Sequence, residues 1–76
     1  MNDDTALYVT AGQRVCFTYT NWRGHTADRH VEMNAVYWGT TEHHPEPQWL
    51  LQAFDVEKKE HRVFAMRQIK DVRDAE

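Results

Sequence analysis

The stretch Arg14-Val15-Cys16-Phe17-Thr18-Tyr19-Thr20 alternates apolar and polar side chains with a period of two. Val15, Phe17 and Tyr19 fall on one parity, with Arg14, Cys16, Thr18 and Thr20 on the other. Successive Cβ atoms of an extended chain point to opposite faces, so this pattern predicts a strand with one face buried. Asn21-Trp22-Arg23-Gly24 follows directly and predicts a hairpin connection, with Gly24 available for positive φ.

The same logic runs outward along the chain. Residues 25–38 have strand character, with Arg29, Val31 and Met33 on one parity. Val36-Tyr37-Trp38 breaks the alternation, which predicts a bend or bulge there. Gly39, Pro45 and Pro47 punctuate residues 39–47 and predict a loop. Residues 48–55 (QWLLQAFD) are apolar on both faces in their middle, as in a central strand. A polar turn over 56–59, a strand over 60–66, a helical turn at Arg67-Gln68 and a short strand over 69–72 complete the pattern. Upstream, Asp4 is placed to cap a short helix over residues 5–11 that Gly12 would end. The expected fold is mainly β: a small Sm-like or SH3-like five-stranded barrel with a short N-terminal helix, closure being one way to remove exposed edges. Residues 1–13 are read as tail and helix, 14–72 as the barrel domain and 73–76 as a C-terminal tail.

A chain of 76 residues suits one small domain, and 41% hydrophobic content with 12% aromatics is globular in character. The lone Cys16 has no intramolecular disulfide partner, no signal peptide is recognisable, and no apolar run reaches the roughly 20 residues that span a bilayer. A cytoplasmic protein with no membrane association is expected. The formal charge of −3 resides at the ends: residues 14–70 carry 8 Lys+Arg against 7 Asp+Glu. The body therefore retains room for a local cationic site.

Two arginines stand out by parity. Arg29 shares its face with Val31 and Met33, and Arg62 shares its face with Phe64 and Met66. Guanidinium groups directed toward a core or its rim need a carboxylate or an anionic ligand. Both readings are open: pairing with Asp28, Glu32 or Asp55, or a ligand pocket. Trp22, beside Arg23 in the hairpin tip, either stacks on a base or a partner surface or folds over the barrel end. Trp49, Phe17, Phe54 and Phe64 are expected in the core. Glu42-His43-His44 with Glu46 contains metal-ligand residue types, but adjacent histidines in a Pro-bounded loop lack the spacing that puts two ligands on one helical face. A solvated loop without metal is expected, with His25, His30 and His61 as surface or rim groups. No Ser/His/Asp or Cys/His arrangement and no Gly-rich phosphate loop is legible, so a non-enzyme without cofactor is expected.

Residues 48–55, followed by Arg62-Val63-Phe64 and Ile69, resemble the WYL domain family. The similarity extends to Phe17-Thr18-Tyr19 closing the first strand, the hairpin glycine Gly24 and Arg29-His30-Val31. The family's signature triplet falls on Trp49-Leu50-Leu51, and the resemblance covers about residues 14–72. It implies an Sm-like barrel that senses nucleic acid or a negatively charged small molecule through basic residues, Arg29 and Arg62 falling on those positions. In larger members it implies transcriptional regulation beside a winged-helix domain, in bacteria or phage. Leu50 replaces the signature Tyr, Met33 stands where Pro is usual, and Gln68 stands where Arg commonly precedes the final Ile. No DNA-binding domain is read in these 76 residues.

Two functions follow as expectations. The first is a stand-alone WYL-like module binding an anionic ligand, a nucleotide-type molecule or nucleic acid, through Arg29 and Arg62, with Arg23 and Trp22 as a peripheral clamp. The second is a small protein-interaction or homodimerisation module that uses a strand edge or the Trp22 and Tyr37-Trp38 surfaces.

Overall fold

The computed structural model describes residues 9–75. It is mainly β, with one antiparallel sheet of five strands: β1 (Arg14–Thr20), β2 (Thr26–Thr41), β3 (His44–Asp55), β4 (Glu60–Ala65) and β5 (Ile69–Asp74). A single 3₁₀ turn, Met66–Gln68, joins β4 to β5. The spatial order is β4-β3-β2-β1-β5, so β4 and β5 are edge strands and the sheet is not closed by a ladder between them. The expected N-terminal helix falls largely outside the described residues. Within them Val9 and Thr10 are irregular, and Ala11-Gly12 forms a turn, with Gly12 at φ +88°.

Burial follows the predicted parity. Val15, Phe17 and Tyr19 of β1 meet Val31 and Met33 of β2, Leu51 and Ala53 of β3, and Phe64 of β4 in one core. Leu50, on the opposite parity to Leu51, is equally buried but lies outside that cluster, so the buried face of β3 changes at Leu50-Leu51. The β1–β2 hairpin is built by Asn21: its side-chain oxygen accepts the N–H groups of Arg23 and His25, both at 2.9 Å. Gly24 supplies φ +85° at the tip, a conformation costly for other residues.

β2 departs most from expectation. It has 16 residues, a span of about 50 Å if straight, whereas the longest dimension of the molecule is 33 Å. The strand must therefore curl. The ladder to β3 slips between Met33 and Ala35, which makes Asn34 the extra residue of a bulge. The expected irregularity at residues 36–38 is absent, because Val36, Tyr37 and Trp38 pair regularly with Leu51, Leu50 and Trp49. The loop expected over residues 39–47 shrinks to the Glu42-His43 turn, and Pro45 and Pro47 lie inside β3. They are tolerated because β4 pairs only with residues 50–55, and the ladder to β2 is irregular between Gly39 and Thr41. β5 extends to Asp74, beyond the expected end at residue 72, with a bulge against β1 where Asp71 takes φ 55°.

Curling brings together strands that a flat sheet would hold about 14 Å apart, three inter-strand spacings. The Phe64 ring of β4 lies edge-on to Phe17 at 5.2 Å and to Tyr19 at 4.9 Å. The Tyr19 hydroxyl accepts the backbone N–H of Ala65 at 2.9 Å, in a buried setting. A side chain of β1 thus satisfies an edge group of β4 that has no strand neighbour.

Replacing Tyr19 by Phe leaves that N–H without an acceptor and is expected to cost about 1–3 kcal/mol in urea unfolding. Tyr37→Phe, on an exposed ring, should stay within about 0.5 kcal/mol. Equal, small effects at both positions would deny Tyr19 its bridging role.

Candidate ligand-binding concavity

Because β2 curls, its two hairpin ends converge. Trp22, from the β1–β2 tip, stacks on His43, from the β2–β3 tip, with ring centroids 4.5 Å apart and planes within 7°. The stack forms one wall of an open concavity of about 490 Å³. Its other walls come from Arg29 of β2, from Glu60, His61 and Arg62 of β4, and from the aromatic core residues Tyr19 and Phe64.

Three of the four sequence-selected site residues, Arg29, Arg62 and Trp22, line this concavity. Arg23 does not line it; its guanidinium lies 4.9 Å from the centre of the Trp22 ring, a cation–π arrangement that braces the indole from the tip. Trp22 is 54% exposed and therefore does not fold over the end of the sheet.

The two arginines face carboxylates in different ways. Arg29 is largely buried, and its Nη1 is 3.8 Å from Asp55 Oδ2, beyond hydrogen-bonding distance. The other Asp55 oxygen accepts the N–H groups of Glu57 and Lys58, which anchors the carboxylate to the β3–β4 turn. Arg29 Nε and Asp55 Oδ2 are both buried without a hydrogen-bond partner. Arg62 Nη1 donates to Glu60 Oε2 at 2.7 Å, with both side chains substantially exposed. Such exposed pairs contribute about 0–1 kcal/mol, so a stronger acceptor can displace Glu60. With histidines neutral, Arg29 and Arg62 are balanced in the lining by Glu42 and Glu60.

Several lining residues escaped the sequence reading. Tyr19 reads as core by parity, yet it also lines the concavity. Burial raises its pKa first, and the Ala65 N–H, Arg29 and Arg62 pull it back. His43 and His44 were expected in a solvated loop; the tight turn instead sets them at the rim, with His44 Nδ1 3.0 Å from Thr41 Oγ1. No clue in local sequence could place them around the same concavity as Arg62, because that grouping arises from the curl of β2. No group of three or more potential metal-ligating side chains is gathered among the described residues. Trp49 is 55% exposed and Phe54 only half-buried, so neither belongs to the core as expected. Trp49 stands on the solvent side of its strand, and Phe54 packs edge-on to His61 at 5.1 Å.

His44 offers a readout of the rim. Desolvation, then the neighbouring His43 and Arg67, hold its pKa below the ordinary 6.5. The unfolded chain takes up this proton more readily, so His44 lowers stability as pH falls below about 6.5. His44→Gln should therefore narrow the difference in Tm between about pH 7.5 and pH 5.5. An unchanged or wider difference would contradict this environment.

Comparison with protein-family models, with curated proteins and with solved structures finds no match for this chain.

Proposed function

We propose that this chain is a non-enzymatic, WYL-like binding module for a negatively charged ligand carrying a flat ring, a nucleotide-type molecule or nucleic acid, with a regulatory role in the cytoplasm. The observation that carries the reading is the convergence of Arg29, Arg62 and the Trp22–His43 stack on one open concavity. On this reading the curled, unclosed sheet is an opened form of the Sm-like barrel that the family resemblance implies.

The chemistry is a division of labour. Arg62 exchanges its exposed Glu60 partner for a phosphate, a charge-assisted bond stronger than the one it gives up. Arg29, held in place by Asp55 but not hydrogen-bonded to it, contributes the field of a largely buried cation. The Tyr19 hydroxyl uses its oxygen on Ala65 and keeps its proton for a ligand acceptor. A ring of the ligand extends the Trp22–His43 stack, a contact worth about 1–3 kcal/mol per base.

Adenosine monophosphate and a short single-stranded oligonucleotide serve as probes in calorimetry. At least one should bind, with affinity falling as salt rises. Arg62→Ala should weaken binding about tenfold, the value of one charge-assisted bond. Arg29→Lys is preferable to Arg29→Ala, since removing the cation strands Asp55 at a cost of about 3–5 kcal/mol. Absence of heat with both probes, or affinity unaffected by Arg62→Ala, rejects the proposal.

A further inference from the structure

A second recess lies elsewhere on the molecule and shares no residue with the concavity. It measures about 300 Å³ and is lined by Trp38, Pro47, Gln48, Trp49, Met66 and Arg67. Trp38 and Trp49 face each other across the β2–β3 ladder, 5.4 Å apart at 74°. Both are more than half exposed: 58% for Trp38 and 55% for Trp49. Packed edge to face on each other, the two rings form a wedge whose outer faces the fold leaves uncovered. Core packing cannot explain them, because the core is built on other residues.

We infer that this wedge is a docking groove for a proline-rich segment with an acidic residue beside the prolines. Three features select that occupant. The exposed indole faces, with Met66 beside them, accept the flat, rigid pyrrolidine rings of a polyproline II helix laid across them, whose ordering cost is already met. Such a helix makes no internal hydrogen bonds, so its carbonyls are free acceptors. The exposed indoles of Trp38 and Trp49 each carry a donor N–H. Arg67, in the lining of the recess, has no carboxylate partner among the described residues, which makes an acidic side chain its complement.

A second copy of this chain is the poorer occupant. A two-fold interface centred on the groove would bring the two Arg67 guanidiniums toward each other, with no acidic residue in the lining to separate them.

The test is an NMR titration with a synthetic peptide of five prolines followed by two aspartates, against a Gly/Ser peptide of equal length and charge. Saturable shifts of the Trp38 and Trp49 indole signals and of the Met66 and Arg67 amides are expected for the proline peptide alone. Trp49→Ala should weaken binding about tenfold, as for an aromatic anchor. Arg67→Glu should lose the acidic peptide and gain a variant peptide ending in two lysines. No saturable shift, equal binding of the Gly/Ser peptide, or indifference to the charge exchange overturns the inference. So does dimerisation in light scattering that Trp49→Ala abolishes, which would assign the wedge to a second copy.

Discussion

The hydrogen bond from the Ala65 N–H to the Tyr19 hydroxyl holds together two strands that have no ladder between them. It follows from a mismatch of lengths. A strand of 16 residues cannot lie straight in a molecule 33 Å across, so β2 curls and carries β1 and β4 toward each other over the shared aromatic core. The phenolic oxygen and the ring contacts among Phe17, Tyr19 and Phe64 fix how far that curl goes. The same curl sets Trp22 against His43 and opens the concavity below them. Core packing and site geometry thus have one cause.

Much of this was legible in residue order. The period of two from Arg14 to Thr20 places β1 and its buried face, and the burial of Val15, Phe17 and Tyr19 agrees with it. The turns at Asn21–Gly24 and at residues 56–59, and the 3₁₀ turn near Arg67, were visible because their residue types constrain the backbone locally. The prolines misled for an identifiable reason. Pro45 and Pro47 forbid an N–H partner, which excludes a central strand but not a strand segment with a free side and an irregular ladder on the other. The bulge at Asn34 was misplaced by two residues or more, since polar Asn34 fits the alternation while Val36-Tyr37-Trp38 breaks it only in composition. Trp49 shows the limit of hydrophobicity as a guide to burial: it shares the parity of buried Leu51 and Ala53, yet the buried face of β3 changes at Leu50-Leu51 and leaves its ring exposed.

Parity was a better guide to the lining of the concavity than composition. It selected Arg29 and Arg62 from strands that are not neighbours, and both line one concavity. It could not foresee how each is balanced. Asp55 meets Arg29 because the turn after β3 anchors the carboxylate, whereas Glu60 reaches Arg62 as a side chain on the same face of its own strand, two positions away. One cation is thereby structural in its anchoring and the other exchangeable. Aromatic surface is divided too, with one ring pair at the meeting of the hairpin tips and another across the β2–β3 ladder.

An unclosed sheet has two rims where a further strand could attach, and here both are defended against such growth. β5 is six residues long, carries Lys70, Asp71, Arg73 and Asp74, and is kinked at Asp71; Arg73 is also tied to Asp28 at 3.0 Å. A short, charged, bent border is a poor template for cross-molecular pairing. At the opposite border, Tyr19 occupies one of the amide groups that an incoming strand would need. The phenol that limits the curl also discourages the sheet from propagating into a fibre.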